Sequence, residues 1–194
     1  MQEAVGALVR AGAIARDFTL PEAEAAYGVF LDGGLSATEL RSFLDRELPD
    51  RLDQLDPVIA PAVRNAESLS AQEYLARVAR LGNFARMAAP RLDAVDLIAS
   101  PTLCLTPPLM SDVADADSHL RVNRRIVRNT VAVNYLGLCA ITMPVGRDRA
   151  GMPVGLQLIA PARAEEKLLT IALAAERVLG TGMDRLGTPP LLVS

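Results

Sequence analysis

The apolar and polar positions of the chain predict a mostly helical fold with a pair of strands near its end. Helical periodicity between start and stop signals predicts helices over residues 1–11, 21–31, 36–48, 70–91, 120–136 and 165–179. Prolines interrupt residues 53–67, so we expect a short or broken helix there. Ser36 with Glu39 and Ser70 with Glu73 have the spacing of capping boxes, in which the serine caps a helix.

Strands are predicted where short apolar runs lie between turn signals. Residues 139–145 and 153–160 are rich in Ile, Val, Leu and Thr, and a polar, glycine-bearing turn joins them, which predicts a hairpin. Gln157 lies inside the second of these strands and needs a hydrogen-bond partner if it is buried. Residues 95–100 and 13–20 predict two further strands. We therefore expect an α/β fold in which helices flank a mixed sheet of these four strands.

The N-terminal helix and the strand predicted after it are typical of the second half of a βαβ unit. Such a helix packs against a preceding parallel strand, and the sequence encodes none before Met1. We therefore expect a truncated fold that begins in mid-architecture. Val5, Leu8 and Val9 are expected at a contact with another segment or a second copy, since uncovered apolar faces and strand edges associate.

The chain is expected to form one domain over residues 1–194. Its 194 residues suit a single core, and the Gly- and Pro-punctuated residues 181–194 are expected to form a loosely held tail. Residues 101–118 predict a long loop, because they contain prolines and polar turn formers. Long loops of this kind often line a surface or a pocket.

Composition and charge restrict the possible functions. Apolar residues make up 51% and charged residues 22%, as in globular proteins. The net charge of −3 gives no basic surface for a nucleic acid or an anionic membrane, and no apolar run approaches the ~18 residues of a spanning helix. The N-terminus has no signal-peptide pattern, so we expect a cytoplasmic protein in which Cys104 and Cys139 are reduced core thiols.

The hairpin region carries the pattern of a known family. The segment from Asn134 to Ala160 reads NYLGLCAITMPVGRDRAGMPVGLQLIA. It closely resembles the C-terminal block of the amidase signature family, whose members cleave carboxamide C–N bonds, and the resemblance extends over residues 93–179. Cys139 stands where many relatives have proline, which indicates a subfamily. The resemblance implies the C-terminal half of an amidase-signature-type fold.

The catalytic residues of that family have no counterparts in this sequence. The family acts through a nucleophilic serine, a bridging serine in a cis peptide and a lysine base, all upstream of the matched block. This chain has no Gly/Ser-rich stretch, and its only lysine is Lys167. The resemblance therefore assigns no catalytic residue here, and it implies no metal or organic cofactor.

Two functions remain open at this point. The first is the C-terminal half of an amidase-like hydrolase, which contributes sheet and substrate-pocket wall and is not catalytic alone. Its partner would be a complementary N-terminal amidase segment or a second copy, and a small-molecule amide would bind only in the completed enzyme. The alternative is a non-catalytic binding or interaction protein that retains part of the fold.

Four residues are candidates for the substrate pocket: Thr102, Arg128, Thr130 and Asn134. Thr102 belongs to a Pro-Thr loop that resembles the one lining the substrate side in the family. Thr130 and Asn134 lie in a segment that resembles the family's lead into the hairpin. Helix caps and turn hydrogen bonds are the alternative role for such polar residues.

Arg128 is expected to share one helix face with Arg121, Arg124 and Arg125, since their spacing is i, i+3, i+4 and i+7. Guanidinium groups bind carboxylates through paired hydrogen bonds, so this face could hold a carboxylate-bearing substrate. The alternative is a face that is solvated or lies in an interface. Arg128 is the best candidate of the four because it lies nearest the turn into the hairpin.

Two other patterns suggest chemistry without supporting it well. Cys139 could act as a thiolate nucleophile with His119, the only histidine, as its base. Asp112, Asp115 and Asp117 alternate as in a calcium loop, but the turn glycine and the terminal glutamate of that motif are missing. A solvated acidic loop is the expectation there.

Overall fold

The computed structural model describes residues 1–188 of the chain. Its α-helices are α1 Gln2–Arg10, α2 Pro21–Leu31, α3 Ser36–Glu47, α4 Ala60–Arg64, α5 Ala71–Leu92, α6 Ala116–Ile126, α7 Arg128–Tyr135, α8 Glu165–Leu179 and α9 Gly182–Leu186. Its strands are β1 Ile98–Pro101, β2 Cys139–Arg147 and β3 Pro153–Ala160, and its 3₁₀ helices are Pro49–Gln54, Asn65–Ser68 and Met110–Val113. The predicted helices and hairpin are confirmed, apart from the differences described below.

Within the described residues, the strands form one sheet in the order β1-β3-β2. Both pairs are antiparallel: Ile98 lies opposite Ile159, and Cys139 lies opposite Ala160. The α/β class, with helices around a sheet, is confirmed. The described sheet is antiparallel throughout, so it contains none of the parallel pairing that a βαβ unit would have given it.

Residues 13–20 do not form the predicted strand. They run as irregular chain between α1 and α2, and the side chain of Ile14 is 95% exposed. The guanidinium of Arg16 donates a hydrogen bond to the backbone carbonyl of Ala94. Ladder hydrogen bonds to a neighbouring strand stabilise an extended segment, and no described strand lies beside this one, so its apolar alternation does not produce a strand.

The larger apolar cluster lies between one face of the β2–β3 hairpin and the helices α1 and α8. Its buried side chains come from all four elements: Ala4, Met143, Leu156, Leu158, Ala160, Leu168, Ala172, Ala175 and Leu179. Val5 and Leu8 pack against this cluster, and Val9 is 44% exposed. This corrects the expectation of an uncovered helix face, because α8 and the sheet already cover Val5 and Leu8.

The second apolar cluster joins the helices on the other side of the sheet. Its buried side chains are Ala26 and Val29 on α2, Leu81 on α5, and Leu136 directly after α7. Apolar burial of this kind is the main term that holds helices together in a fold. It fixes α2 and α7 side by side, next to the sheet.

The helix predicted over residues 120–136 is divided into α6 and α7 at Val127. The carbonyl oxygen of Val127 accepts hydrogen bonds from the backbone N–H of Thr130 at 3.0 Å, from that of Val131 at 2.8 Å, and from the hydroxyl of Thr130 at 3.1 Å. Val127 is thus both the C-cap of α6 and the N-cap of α7. Arg128 therefore takes the first position of α7.

Neither predicted capping box forms completely, but Ser70 makes its half of one. The hydroxyl of Ser70 accepts from the backbone N–H of Glu73 at 3.1 Å and begins α5. Ser36 instead lies inside α3, after the N-cap residue Leu35. The carboxylate of Glu39 accepts a hydrogen bond from the hydroxyl of Tyr74 at 3.0 Å, so it does not reach back to the start of the helix.

The described part of the predicted tail contains α9, which Thr181 and Asp184 cap reciprocally. The guanidinium of Arg147 on β2 donates to the carbonyl of Leu186 at 2.6 Å, which ties this helix to the hairpin. The rest of the predicted tail, residues 189–194, lies outside the described residues. Among residues 1–188, no helix has both the length and the apolar character needed to cross a bilayer.

Candidate functional site

A groove lies between the sheet and the helices α2 and α7. Its volume is about 400 Å³, which is in the lower part of the range of small-molecule sites. Its apolar walls come mainly from the sheet, from α2 and α7, and from residues next to them: Phe18, Leu20, Pro21, Ala23, Ile98, Ala132, Val133, Leu136, Leu138 and Ile159. The remaining lining residues are polar or charged: Thr19, Glu24, Tyr27, Ser100, Arg128 and Asn129.

Arg128 lines the groove and contacts residues of α2. Its guanidinium lies 2.8 Å from the carboxylate of Glu24 and 5.7 Å from the ring centroid of Tyr27. The paired carboxylate raises the pKa of Arg128 from its ordinary value, chiefly through the hydrogen bond from the guanidinium to Glu24. Tyr27 is buried, and its hydroxyl donates to the carbonyl of Arg124 at 2.8 Å. The ring beneath the guanidinium is therefore held in place.

A row of polar side chains crosses the same face of the sheet as the groove. Gln157 on β3 is 3% exposed, and its amide donates to the hydroxyl of Ser100 on β1 at 3.3 Å. The hydroxyls of Thr102 and Thr142 lie 3.2 Å apart. Buried Gln157 therefore has the partner that the sequence required, supplied by the residue opposite it in the β1–β3 register.

Gly155 lies beneath the two threonines. A Cβ atom at this position would lie 2.6 Å from the hydroxyl oxygen of Thr102 and 2.7 Å from the Cγ2 methyl of Thr142. Such distances are far below van der Waals contact, so glycine is required here for close approach.

Asn129 connects α7 to the loop that follows β1. Its side-chain amide donates to the carbonyl of Pro101 at 2.6 Å, and its side-chain oxygen accepts from the thiol of Cys104 at 3.4 Å. Asn129 is not among the residues that the sequence predicted for the pocket. The predicted helix over residues 120–136 places it in a helix interior, and its partner Pro101 lies 28 residues away.

The four predicted pocket residues lie in different surroundings. Arg128 lines the groove, whereas Thr102 lies beyond it in the polar row. The hydroxyl of Thr130 bonds to the carbonyl of Val127, as the capping alternative expected. Asn134 is exposed, and its carbonyl accepts from the backbone N–H of Gly137 in the turn after α7.

The acidic residues of the loop before α6 act as helix caps. The carboxylate of Asp115 accepts from the backbone N–H groups of Asp117 and Ser118, and the hydroxyl of Ser118 holds the pKa of Asp115 below its ordinary value. The carboxylate of Asp112 accepts from the backbone N–H of Leu109 at 3.3 Å. In the described part of the chain, no three His, Cys, Asp or Glu side chains come together in a way that could hold a metal ion.

Both cysteines are free thiols, but only one lies near the core. Cys104 is exposed, which corrects the expectation of a core position. Cys139 is half-buried beside the larger apolar cluster, and its thiol donates to the carbonyl of Pro161 at 3.1 Å. The contacts of Cys139 are therefore those of a structural thiol rather than of a nucleophile paired with His119.

Lys167 lies on α8 and pairs with the carboxylate of Asp96 at 2.9 Å. Its side chain is about half exposed, at 49%. The shallow depression around this pair is lined by Glu166, Thr170 and Ile171 and by no serine. The pair has the character of a surface ion pair, not of a lysine base that serves a serine.

Known proteins resemble this chain in sequence and in fold. The model of the family described as Amidase matches residues 1–169. The chain is 43% identical over 191 residues to the 2-amino-5-chloromuconic acid deaminase of Comamonas testosteroni, covering 98% of this chain and 41% of that protein. It is 43% identical over 86 residues to a fatty acid amide hydrolase of Oryza sativa subsp. indica, covering 43% of this chain and 14% of that protein.

A solved structure of Kluyveromyces lactis allophanate hydrolase has the same fold over 95% of this chain and 30% of that chain, with a TM-score of 0.80 and 22% identity. The chain belongs to the amidase family, and the resemblance of its hairpin segment to that family is confirmed. It spans about two fifths of the length of the deaminase, 41%, and less of the other two proteins.

Proposed function

We propose that this chain is the C-terminal part of an amidase-type hydrolase that cleaves a carboxamide C–N bond. In this proposal it supplies part of the sheet and one wall of the substrate pocket, and it is not catalytic alone. The observation that carries the proposal is a groove of about 400 Å³ in a chain of this family whose only lysine is bound to a surface carboxylate. A groove without a lysine beside it supports a role in substrate binding rather than in catalysis.

The chemistry of the completed enzyme follows from the family. A lysine deprotonates the bridging serine, which activates the nucleophilic serine for attack on the amide carbonyl, and backbone N–H groups stabilise the oxyanion. The C–N bond then breaks, the amine leaves with the proton taken from the serine, and water hydrolyses the acyl-serine ester to release the acid. These groups belong to the complementary segment in our proposal, and the residues of this chain bind and orient the substrate.

The pocket wall combines the groove with the loop after β1. Arg128 lines the groove, and Asn129 holds the loop by its bond to the carbonyl of Pro101. We propose that Thr102, Thr130 and Asn134 lie towards the substrate in the completed enzyme. The paired hydroxyls of Thr102 and Thr142 support this, because they offer both donors and acceptors at the end of the sheet from which the loop leaves.

The partner in this proposal is a complementary N-terminal amidase segment, which pairs with the outer edge of β1. Among the described residues, β1 pairs only with β3, so its other edge offers backbone donors and acceptors to a further strand. The fully exposed side chain of Ile14 supports a second contact on the irregular segment 13–20. Self-association through the same edge is the competing outcome.

The names of the relatives support a small molecule with a C–N bond as the substrate. One relative is a deaminase of an amino-substituted acid, and another hydrolyses a fatty acid amide. We also propose that the protein acts in the cytoplasm, where free thiols such as Cys104 and Cys139 remain reduced.

A serine-reactive fluorophosphonate probe tests the proposal. We expect no labelling of the purified chain, since its sequence has neither the Gly/Ser-rich stretch of the family's nucleophile nor a second lysine to serve as base. Mixed with an N-terminal segment of a full-length family member that carries the Gly/Ser-rich stretch and the lysine, the label should appear on that segment alone. Labelling of a serine in this chain would overturn the proposal. Stable complexes without labelling would instead favour the non-catalytic interaction protein.

A further inference from the structure

We propose that the groove between the sheet, α2 and α7 binds a small ligand with an apolar body and one carboxylate, and that this carboxylate displaces Glu24 from Arg128. The inference deepens the proposed function, on which it rests for the claim that the ligand is the substrate. The binding site itself is carried by the geometry of the groove.

The guanidinium of Arg128 is held in position at the groove. Arg128 lines the groove, and its guanidinium lies over the ring of Tyr27 at 5.7 Å from the centroid. The ring is fixed by its hydroxyl bond to the carbonyl of Arg124 and by stacking on Phe30, with ring centroids 6.0 Å apart. A guanidinium held over an aromatic face loses little freedom when it binds an anion, so the site is organised before the ligand arrives.

A ligand carboxylate can replace Glu24 at Arg128 at little cost. The side chains of Arg128 and Glu24 are 52% and 67% exposed, although their charged groups lie 2.8 Å apart. Ion pairs this exposed contribute little stability, because water already solvates both charges. Glu24 therefore acts as a weak internal competitor. A ligand carboxylate can replace it and form the paired hydrogen bonds that guanidinium groups make with carboxylates.

The rest of the groove suits an apolar ligand body. Most of its lining is aliphatic, including Ile98 and Ile159 from neighbouring strands and Leu136 and Leu138 after α7. A second charge in the ligand would lie against these side chains without a partner, which is unfavourable. The volume of about 400 Å³ limits the body to a short chain or a single ring.

Calorimetric titration of the full chain with hexanoate and with hexanamide tests the inference. The two probes have the same body and differ in charge. We expect hexanoate to bind about three- to fivefold more tightly, because a hydrogen bond to a charged group is stronger than one to a neutral group but the side chain of Arg128 is half exposed. In the Arg128→Gln variant this preference should disappear, and in the Arg128→Lys variant it should be partly retained.

Two further variants make the result specific. Glu24→Gln should tighten hexanoate binding by roughly two- to fivefold, since it removes the competing carboxylate of an exposed pair. Arg125→Gln removes an exposed arginine of the preceding helix that does not line the groove, and it should leave the preference unchanged. Thermal melting of each variant verifies that the fold is retained.

Equal affinity for the two probes, no binding of hexanoate at millimolar concentration, or an unchanged preference in Arg128→Gln would each overturn the inference. The binding measurement needs no turnover, so it tests carboxylate binding separately from the proposed amidase function. Amidase activity of a complemented enzyme without carboxylate binding would leave the proposed function intact and remove the inference. Carboxylate binding without complemented activity would do the reverse.

Discussion

The side-chain amide of Asn129 donates a hydrogen bond to the backbone carbonyl of Pro101, with nitrogen and oxygen 2.6 Å apart. This bond joins the first turn of α7 to the point where the chain leaves β1 and enters its long loop. The same side chain accepts from the thiol of Cys104. Asn129 thus holds the loop beside the groove at two points, Pro101 and Cys104.

We expect Asn129→Ala to loosen that loop. Loss of a hydrogen bond of this kind should lower the free energy of unfolding by about 1 kcal/mol. Amide hydrogen exchange at residues 102–106 should accelerate more than exchange elsewhere. Asn134→Ala, at an exposed position on the same helix, is the matched control and should change neither quantity appreciably. Equal loop protection in both variants would contradict this role of Asn129.

Gly155→Ala should destabilise the sheet. The added methyl would meet the Thr102 hydroxyl oxygen at 2.6 Å and the Thr142 methyl at 2.7 Å. Overpacking of this kind costs about 1–3 kcal/mol, measured by denaturant unfolding. Combining it with Thr142→Ala should recover part of the loss, since the two changes are coupled through one contact.

A glycine in an open position provides the control for that experiment. A Cβ at Gly28 in α2 would meet nothing within 4 Å, so Gly28→Ala should stabilise the protein by about 0.5–1 kcal/mol. Equal effects of the two glycine changes would show that the close approach at Gly155 is not what matters.

Asp148 gives a dependence of stability on pH. The hydroxyl of Thr106 and the backbone N–H of Met152 hold the pKa of this carboxyl below its ordinary value. A carboxyl whose pKa is lowered by folding stabilises the protein above the unfolded-state pKa, and this contribution is lost as the pH falls through the folded-state value. NMR titration of Thr106→Val should show the pKa of Asp148 moving up towards its ordinary value. Thr106→Ser keeps the hydroxyl and should leave it lowered. A pKa unchanged in Thr106→Val would show that the backbone donors alone determine it.

Sequence patterns predict the helices and strands that are stabilised by residues close to one another in the chain. The hairpin of β2 and β3 and the helix α8 follow from period and from turn residues, and Gly180 ends α8 with a φ of +83°. Residues 13–20 show where this fails, because a strand needs a partner that the pattern does not supply. The helical period of residues 120–136 continues across Val127, so it does not reveal the break between α6 and α7.

The groove could be predicted only in part, because its contacts join distant residues. Arg128 was a candidate because it lies nearest the turn into the hairpin, but its partner Glu24 lies 104 residues away. Likewise, Gln157 was recognised as a residue that needs a partner, and the strand register determines that the partner is Ser100. A single sequence does not encode such pairings in any local signal.

Lys167 should be dispensable for chemistry. In an enzyme completed by an N-terminal segment, we expect Lys167→Met to retain activity within about threefold, as for the loss of a surface ion pair. If Lys167 were the general base, its removal would instead lower the rate by about 10²–10⁴-fold. Asp96→Asn, which breaks the same pair from the other side, is the control and should behave alike.

Ammonia release from a small primary amide tests the central claim most directly. The purified chain alone should show no release above background, and the same chain mixed with a complementary amidase segment should release ammonia at a rate that depends on both components. Hydrolysis by the chain alone, retained after Cys139→Ala, would contradict the account, because it would place a complete catalytic apparatus among residues to which we assign only binding and structure.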